Sequence, residues 1–232
     1  MSHPRRVAVL GGVAYLITFA ASIPALPLLE PVTDHANYVL GAGKDTQVVL
    51  GGVMELVTAF ACVATALALY PVTRRVGRTA ALGFFSSRLV EAGLILVGVV
   101  SVLSVVTLRQ DLGGSPDAPA GLTTVAQALV DVRDWTFLFG PGIMPAVNAL
   151  FLGTVLYRAG LVPRSLPVIG LVGAPLLVAK TMVVTFGGMD GLSVVAWLLT
   201  LPIAAWELGL GLWLTFKGFR PSPALTPGPV PA

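Results

Sequence analysis

The sequence predicts an all-α membrane protein, a polytopic bundle of six transmembrane helices with both termini in the cytoplasm. The first observation is composition: 56% of the 232 residues are hydrophobic and 11% are charged, whereas a soluble domain carries about 25% charged residues. The second is a set of six apolar runs, each at least as long as the roughly 20 residues that cross a bilayer core. The third is that basic residues gather in every second connection between the runs. Together these observations exclude a cytosolic enzyme, a secreted disulfide scaffold and a disordered chain.

The six runs are continuously apolar, which favours helices over the alternating strands of a membrane barrel. The first run follows Arg5 and Arg6 and so resembles the start of a signal peptide. Its apolar stretch continues past Pro24 and Pro27, however, which favours a retained helix that kinks or ends near these prolines. The third run is long enough to tilt, and residues 122–134 can extend the fourth as a helix. We expect spans at about 7–29, 47–70, 80–107, 135–157, 165–185 and 192–216.

The connections predict the topology. Four segments that fall on one side carry basic residues and no acidic ones; these residues are Arg5, Arg6, Arg74, Arg75, Arg78, Arg158, Arg164, Lys217 and Arg220. Because positive loops stay inside, we expect both termini to face the cytoplasm. Residues 1–220 form one transmembrane domain. Residues 221–232 contain five prolines and are expected to be a disordered cytoplasmic tail.

Few residues could hold a cofactor. Cys62 is the single cysteine, and both histidines, His3 and His35, lie outside the apolar runs. A haem between membrane helices usually takes histidines from those helices, and a zinc site needs several ligands close together. We therefore expect no cofactor and no metal. The net charge of +3 forms no basic patch for nucleic acid, so the expected partners are the lipid bilayer and a lipophilic small molecule.

Ionisable residues inside the spans are the candidate functional residues. A charge near the bilayer centre costs about 2.5–3.5 kcal/mol or more, so such residues usually face the interior and find partners. At 1.5 Å per residue, Arg88, Glu91 and Glu207 lie about 12–16 Å from the cytoplasmic ends of their helices and form an inner layer. Arg88 and Glu91 share a helical face, and the guanidinium can serve both carboxylates. One glutamate then lacks a balancing charge and could retain a proton. The layer either fixes helix packing or carries chemistry.

A second, outer layer is expected on the other side of the membrane. It comprises Glu55, Lys180, Arg133 and Asp134, with Trp135 beside them at the mouth of the fourth span. These residues lie close enough to water to line an entrance pocket, although Lys180 alone can simply extend to the interface. Gly140-Pro141-Gly142 follows in the same span and should leave backbone carbonyls unpaired. This segment indicates either a cavity or a proline kink.

At these residues the chain resembles the bacterial membrane proteins grouped as the domain of unknown function 4386 family. The resemblance runs from about Val7 to Phe219. It implies a multi-pass protein of the bacterial cytoplasmic (inner) membrane without an assigned activity. The motifs that carry it are Met54-Glu55-Leu56, Leu69-Tyr70-Pro71, Arg88-Leu-Val-Glu91, Arg133-Asp134-Trp135 with Gly140-Pro141-Gly142, Leu161-Val-Pro-Arg164, Leu201-Pro-Ile-Ala204 with Glu207, and Lys217-Gly-Phe219.

Three functions remain open at the level of the sequence. The leading hypothesis is a protein that binds a small lipophilic or amphipathic molecule in a polar-lined intramembrane cavity, for transport or sensing. The alternative is a metal-free intramembrane enzyme that uses Glu55 or Glu207 as a general acid on a lipid-like substrate such as an isoprenoid. The third is an accessory subunit whose charged layers are only structural.

Overall fold

The architecture is helical throughout the described residues, which in this computed structural model are 3–34, 37–41, 43–113, 121–191 and 193–225. Those ranges contain no strand and six helical stretches long and apolar enough to cross a membrane. The all-α, six-span prediction is therefore confirmed. The cytoplasmic placement of both termini stays a prediction, so we name the two ends of the bundle by what they carry. The termini end holds both chain termini, and the opposite end holds the loops after the first, third and fifth spans.

In the first four spans the helices extend past the predicted apolar runs, since a helix does not have to stop where the hydrocarbon stops, whereas α7 and α8 do not extend past theirs. The fourth span consists of several short pieces in sequence. The bounds are α1 His3–Thr33, α2 Asp45–Val76, α3 Arg78–Leu112, α4 Leu122–Phe139, α5 Met144–Asn148, a π-helical turn Ala149–Gly153, α6 Thr154–Ala159, α7 Ser165–Thr185 and α8 Val194–Phe216.

Of the two outcomes predicted for Pro24 and Pro27, a kink or an end of α1, the structure excludes the end. The helix continues through Pro24, Pro27 and Pro31 to Thr33. Each proline removes only one backbone hydrogen bond, and the carbonyl of Pro27 accepts a bond from Gln47 Nε2 of α2 at 3.1 Å. Packing of the last turns against a buried cluster at the opposite end supplies the remaining support.

The fourth span is broken rather than continuous. α4 begins at Leu122, as the helical extension predicted, and ends at Phe139 before the Gly140-Pro141-Gly142 segment. The break exposes backbone groups at membrane depth, where they must find partners. Thr181 of α7 donates its hydroxyl to the Gly142 carbonyl at 2.6 Å. A neighbouring helix therefore satisfies a carbonyl that the break in the fourth span leaves without an intrahelical partner.

The six spans close into a ring. α1 packs on α2 and α8, α2 on α3, α3 on α4 and α5, and α7 on α8 and the π-helical turn. The contact between α1 and α8 is close at the termini end, because a Cβ added at Gly12 would lie 2.6 Å from the Thr215 backbone nitrogen. Glycine at this point lets the two backbones touch.

A polar cluster fastens the loop after α1 at the opposite end. The Tyr38 hydroxyl donates to Asp45 Oδ1 at 2.6 Å, and Arg109 Nη1 lies 2.5 Å from Asp45 Oδ2. Arg109 also donates to the Gly41 carbonyl at 3.0 Å. Burial raises the pKa of Tyr38, so its hydroxyl stays protonated as the donor. The cluster ties the loop to α2 and α3.

The tail differs from the expectation of disorder in its first five residues. Pro223–Leu225 form a short 3-10 turn, and the Ser222 hydroxyl donates to the Ala159 carbonyl at 2.8 Å. The Leu225 side chain packs against the main hydrophobic core. Apolar contact therefore holds the start of a proline-rich segment, while residues 226–232 lie outside the described residues.

Candidate functional site

The inner layer assembles as a triad around Arg88. Its Nη1 donates to Glu91 Oε2 at 3.0 Å, and its Nη2 donates to Glu207 Oε1 at 2.6 Å. Arg88 and Glu91 lie one turn apart on α3, and Glu207 comes from α8. All three residues are buried, with Arg88 only 1% exposed. The structure thus brings Arg88, Glu91 and Glu207 together, as the sequence predicted.

Further polar side chains surround the triad and were missed by sequence reasoning. The Arg88 guanidinium lies 4.7 Å from the centre of the Tyr15 ring of α1, within the range of a cation–π contact. Asn148 Nδ2 donates to Glu91 Oε2 at 2.7 Å, and the Ser87 hydroxyl donates to Asn148 Oδ1 at 2.5 Å. An amide in the middle of an apolar run was the signal that could have identified Asn148. The cluster therefore joins three spans besides α3.

The outer layer assembles only in part. Arg133 Nη2 donates to Glu55 Oε1 at 2.9 Å, and both residues are buried. The Arg133 guanidinium also lies 4.3 Å from the centre of the Phe137 ring. Asp134 is 3.9 Å from Arg133, but its side chain is 59% exposed. Lys180 forms no ion pair with any described residue. The core of this layer is thus the Glu55–Arg133 pair.

A cavity of about 230 Å³, which we call the chamber, connects the two layers. Four of the predicted residues line it: Glu55, Arg88, Glu91 and Glu207. The broken part of the fourth span contributes Pro141 and Pro145 to the same wall. Both sequence interpretations of that segment, a cavity and a proline break, therefore apply. The rest of the wall is largely apolar and includes Phe19, Ile23, Leu26, Ile95, Phe137, Leu177, Trp197 and Ile203.

A wider depression of about 700 Å³, which we call the vestibule, lies on the opposite end of the bundle. It is bounded by α1, α4, α7 and α8, and its charged lining consists of Glu30, Asp34, Arg133, Asp134 and Lys180. Trp135 lines it as well and stacks on Phe139, with ring centres 5.6 Å apart. The predicted outer residues that do not pair tightly therefore line this opening.

Three side chains form the boundary between the two spaces. Leu26 of α1, Phe137 of α4 and Trp197 of α8 line both the chamber and the vestibule. Phe137 is the ring on which Arg133 lies. The Glu55–Arg133 pair thus sets the position of one boundary side chain. A solute that passed from the vestibule to the chamber would have to pass these three groups.

The chamber also opens sideways between α1 and α8. Ile23 and Trp197 line it and are nevertheless 60% and 53% exposed. Both residues lie in spanning helices, Ile23 well inside α1 and Trp197 in the first turn of α8, where it also borders the vestibule. The two helices touch at Gly12 near the termini end. The opening therefore lies in the other half of their contact.

The charges around the chamber do not balance. Three glutamates line it, and within the described residues two arginines pair with them. Arg88 pairs with both Glu91 and Glu207, and Arg133 pairs with Glu55. Within the described chain, no protein donor contacts the second carboxylate oxygen of Glu55 or of Glu207. Such oxygens can accept hydrogen bonds from water or from a ligand. No group of three or more His, Cys, Asp and Glu side chains in the described ranges could hold a metal ion.

The comparisons with known proteins identify a family and no activity. The model of the family described as "Domain of unknown function (DUF4386)" matches residues 10–218. No curated protein and no solved structure matches the chain. The match covers the first span from Leu10 onwards, the other five spans in full, and every residue of the two charged layers.

Proposed function

Because the chain belongs to the DUF4386 family, whose description assigns no activity, we propose its function from geometry: it binds a small amphipathic molecule in the chamber. The observation that carries this proposal is the chamber itself, an apolar-walled cavity with Glu55, Arg88, Glu91 and Glu207 at its surface. Ligand sites are typically mostly apolar with a few convergent polar groups. The binding would serve transport or sensing in the cytoplasmic membrane of a bacterium.

The sideways opening supports a ligand that reaches the site from lipid. A molecule dissolved in the bilayer would meet the gap between α1 and α8, lined by Ile23 and Trp197. Its apolar part would remain in contact with apolar surface throughout. The polar head group would pass from the lipid directly to the polar side chains of the chamber. This route favours an amphipathic molecule over a sugar or an inorganic anion.

The size of the chamber limits the ligand. Its volume of about 230 Å³ is below the roughly 300–1,000 Å³ of typical sites for drug-sized ligands. A drug-sized ligand would therefore fit into the chamber only in part. We therefore expect the head group in the chamber and the apolar tail extending past Leu26 and Trp197 into the vestibule or the bilayer.

The test is a substitution that places a larger side chain in the chamber. Ala204 of α8 lines the chamber, whereas its neighbour Ala205 is exposed on the outer surface of the same helix. The protein is purified in lipid nanodiscs, and the small molecules that accompany it are identified by mass spectrometry. We expect Ala204→Phe to deplete a molecule that the parent and the matched control Ala205→Phe both retain.

The outcomes separate the candidate functions. Equal recovery of all small molecules from the three proteins would contradict a ligand in the chamber. Flux of the identified molecule across proteoliposomes would indicate transport, and binding without flux would indicate sensing. Turnover of a lipid-like molecule in detergent, with no second compartment present, would instead favour the intramembrane enzyme.

A further inference from the structure

From the charges at the chamber we infer that its ligand is a lipophilic cation, an alkyl ammonium whose charge is balanced by Glu207. This inference deepens the proposed function and rests on it. With every side chain ionised, the three glutamates and two arginines leave a surplus of one negative charge in a largely apolar space. An uncompensated charge in such surroundings is costly. A ligand with a single positive charge would remove the imbalance.

Glu207 is the carboxylate with the unmet charge. Arg88 is shared between Glu91 and Glu207, so it neutralises only one of them. Glu91 has a second donor, the Asn148 amide, at 2.7 Å. Glu207 receives its only hydrogen bond from Arg88, on Oε1, and its second oxygen has no protein partner in the described chain. Glu55 differs because its partner Arg133 pairs with no other carboxylate of the chamber.

The vestibule that adjoins the chamber has the same sign of charge. It carries the acidic residues Glu30, Asp34 and Asp134 against Lys180, apart from the already paired Arg133. Acidic clefts raise the local concentration of cations and repel anions. Aromatic faces attract a desolvated cation as well, and Trp197 lies at the boundary between vestibule and chamber. Both the vestibule and the chamber therefore favour positive charge.

The experiment compares three probes that share a tail and differ in the head group. n-Octylammonium, n-octanol and n-octanoate are titrated into the protein in nanodiscs of neutral lipid at pH 7. An alkyl ammonium has a pKa near that of lysine, about 10.4, and is therefore a cation at this pH. Saturable shifts of the thermal unfolding midpoint report specific binding, and empty nanodiscs show how much of each probe the lipid takes up.

Two variants test whether Glu207 binds the cation. We expect n-octylammonium to bind the parent more tightly than either partner probe. Glu207→Gln should weaken it by about tenfold or more, since hydrogen bonds to charged groups contribute about 1.5–3 kcal/mol. Asp111→Asn is the matched control, because Asp111 is exposed at the end of α3 and lines neither space. This variant should bind n-octylammonium as the parent does.

The results separate this inference from the proposal on which it rests. Saturable binding of n-octanol or n-octanoate at least as tight as that of n-octylammonium would overturn the cation and leave the chamber as a binding site. Equal affinity of the parent and Glu207→Gln for n-octylammonium would overturn the role of Glu207. If none of the three probes shifts the parent, and chamber filling also depletes no co-purified molecule, the binding function itself is contradicted.

Discussion

Replacing Arg88 by methionine should destabilise the fold more than any single replacement of its carboxylate partners. Methionine keeps the unbranched apolar stem but lacks the guanidinium, so the main change is the loss of the charge and its hydrogen-bond donors. Arg88 is 1% exposed and holds Glu91 at 3.0 Å and Glu207 at 2.6 Å. Arg88→Met therefore leaves two buried carboxylates without their cation. The cation–π contact with Tyr15 is lost as well.

The size of the stability loss depends on the hydrogen-bond partners that Glu91 and Glu207 keep after Arg88 is replaced. Removing one partner of a buried ion pair costs about 3–5 kcal/mol. Glu91 keeps the hydrogen bond from Asn148, and Glu207 lines a cavity that can admit water or a proton. We therefore expect a loss near the lower limit, about 3 kcal/mol. Glu91→Gln leaves Arg88 with one carboxylate and should cost about 1 kcal/mol or less.

The free energy of unfolding is measured by titration with a denaturing detergent in mixed micelles. The decisive control is the triple variant Arg88→Met, Glu91→Gln, Glu207→Gln, which carries no charge in the cluster. Buried ion pairs replaced as a unit are often neutral in stability, so the triple variant should recover most of the loss of Arg88→Met. If Arg88→Met unfolds like the parent, or if the triple variant is less stable than Arg88→Met, the triad does not hold these helices together in the way its geometry indicates.

Three further predictions concern topology, packing and the outer pair. In a background without the native cysteine, Gly41→Cys should react with an impermeant thiol reagent on intact cells and Val76→Cys only after lysis; the reverse pattern would invert the assigned orientation. Gly12→Ala should lower the melting temperature, since its Cβ would lie 2.6 Å from a backbone nitrogen of α8, whereas Gly93→Ala, with open space around it, should be neutral or stabilise by up to about 1 kcal/mol. Glu55→Gln should lower the free energy of unfolding by about 1–3 kcal/mol because its buried arginine partner loses a carboxylate; an unchanged value with altered ligand binding would mean that Glu55 serves the ligand instead.

Much of the candidate site could be predicted from the sequence, because charges in apolar runs are conspicuous. Arg88 and Glu91 share a face by helical periodicity alone, and depth counting brought Glu207 to the same level. Depth does not specify rotation about the helix axis, however. Lys180 and Arg133 share a level and line the same vestibule, but depth alone could not show that Arg133 pairs with Glu55 and that Lys180 pairs with neither.

The sequence by itself determined the spans, the helical class and the depth of the charged residues. The reason is that a bilayer imposes these properties on each segment separately: an apolar run of sufficient length must become a helix whatever its neighbours are. The broken fourth span was also visible, since Gly140-Pro141-Gly142 cannot continue an ordinary helix. These are local properties, and no partner segment is needed to recognise them.

Only the tertiary structure decided which charges pair and that a chamber lies between them. Arg133 and Glu55 are 78 residues apart, and Arg88 and Glu207 are 119 apart. Their contact depends on how each helix is rotated and crossed, which close approaches such as that at Gly12 set. The sequence predicts that one glutamate of the inner layer lacks a balancing charge, but only the assembled ring singles out Glu207, because Asn148 of the fourth span donates to Glu91.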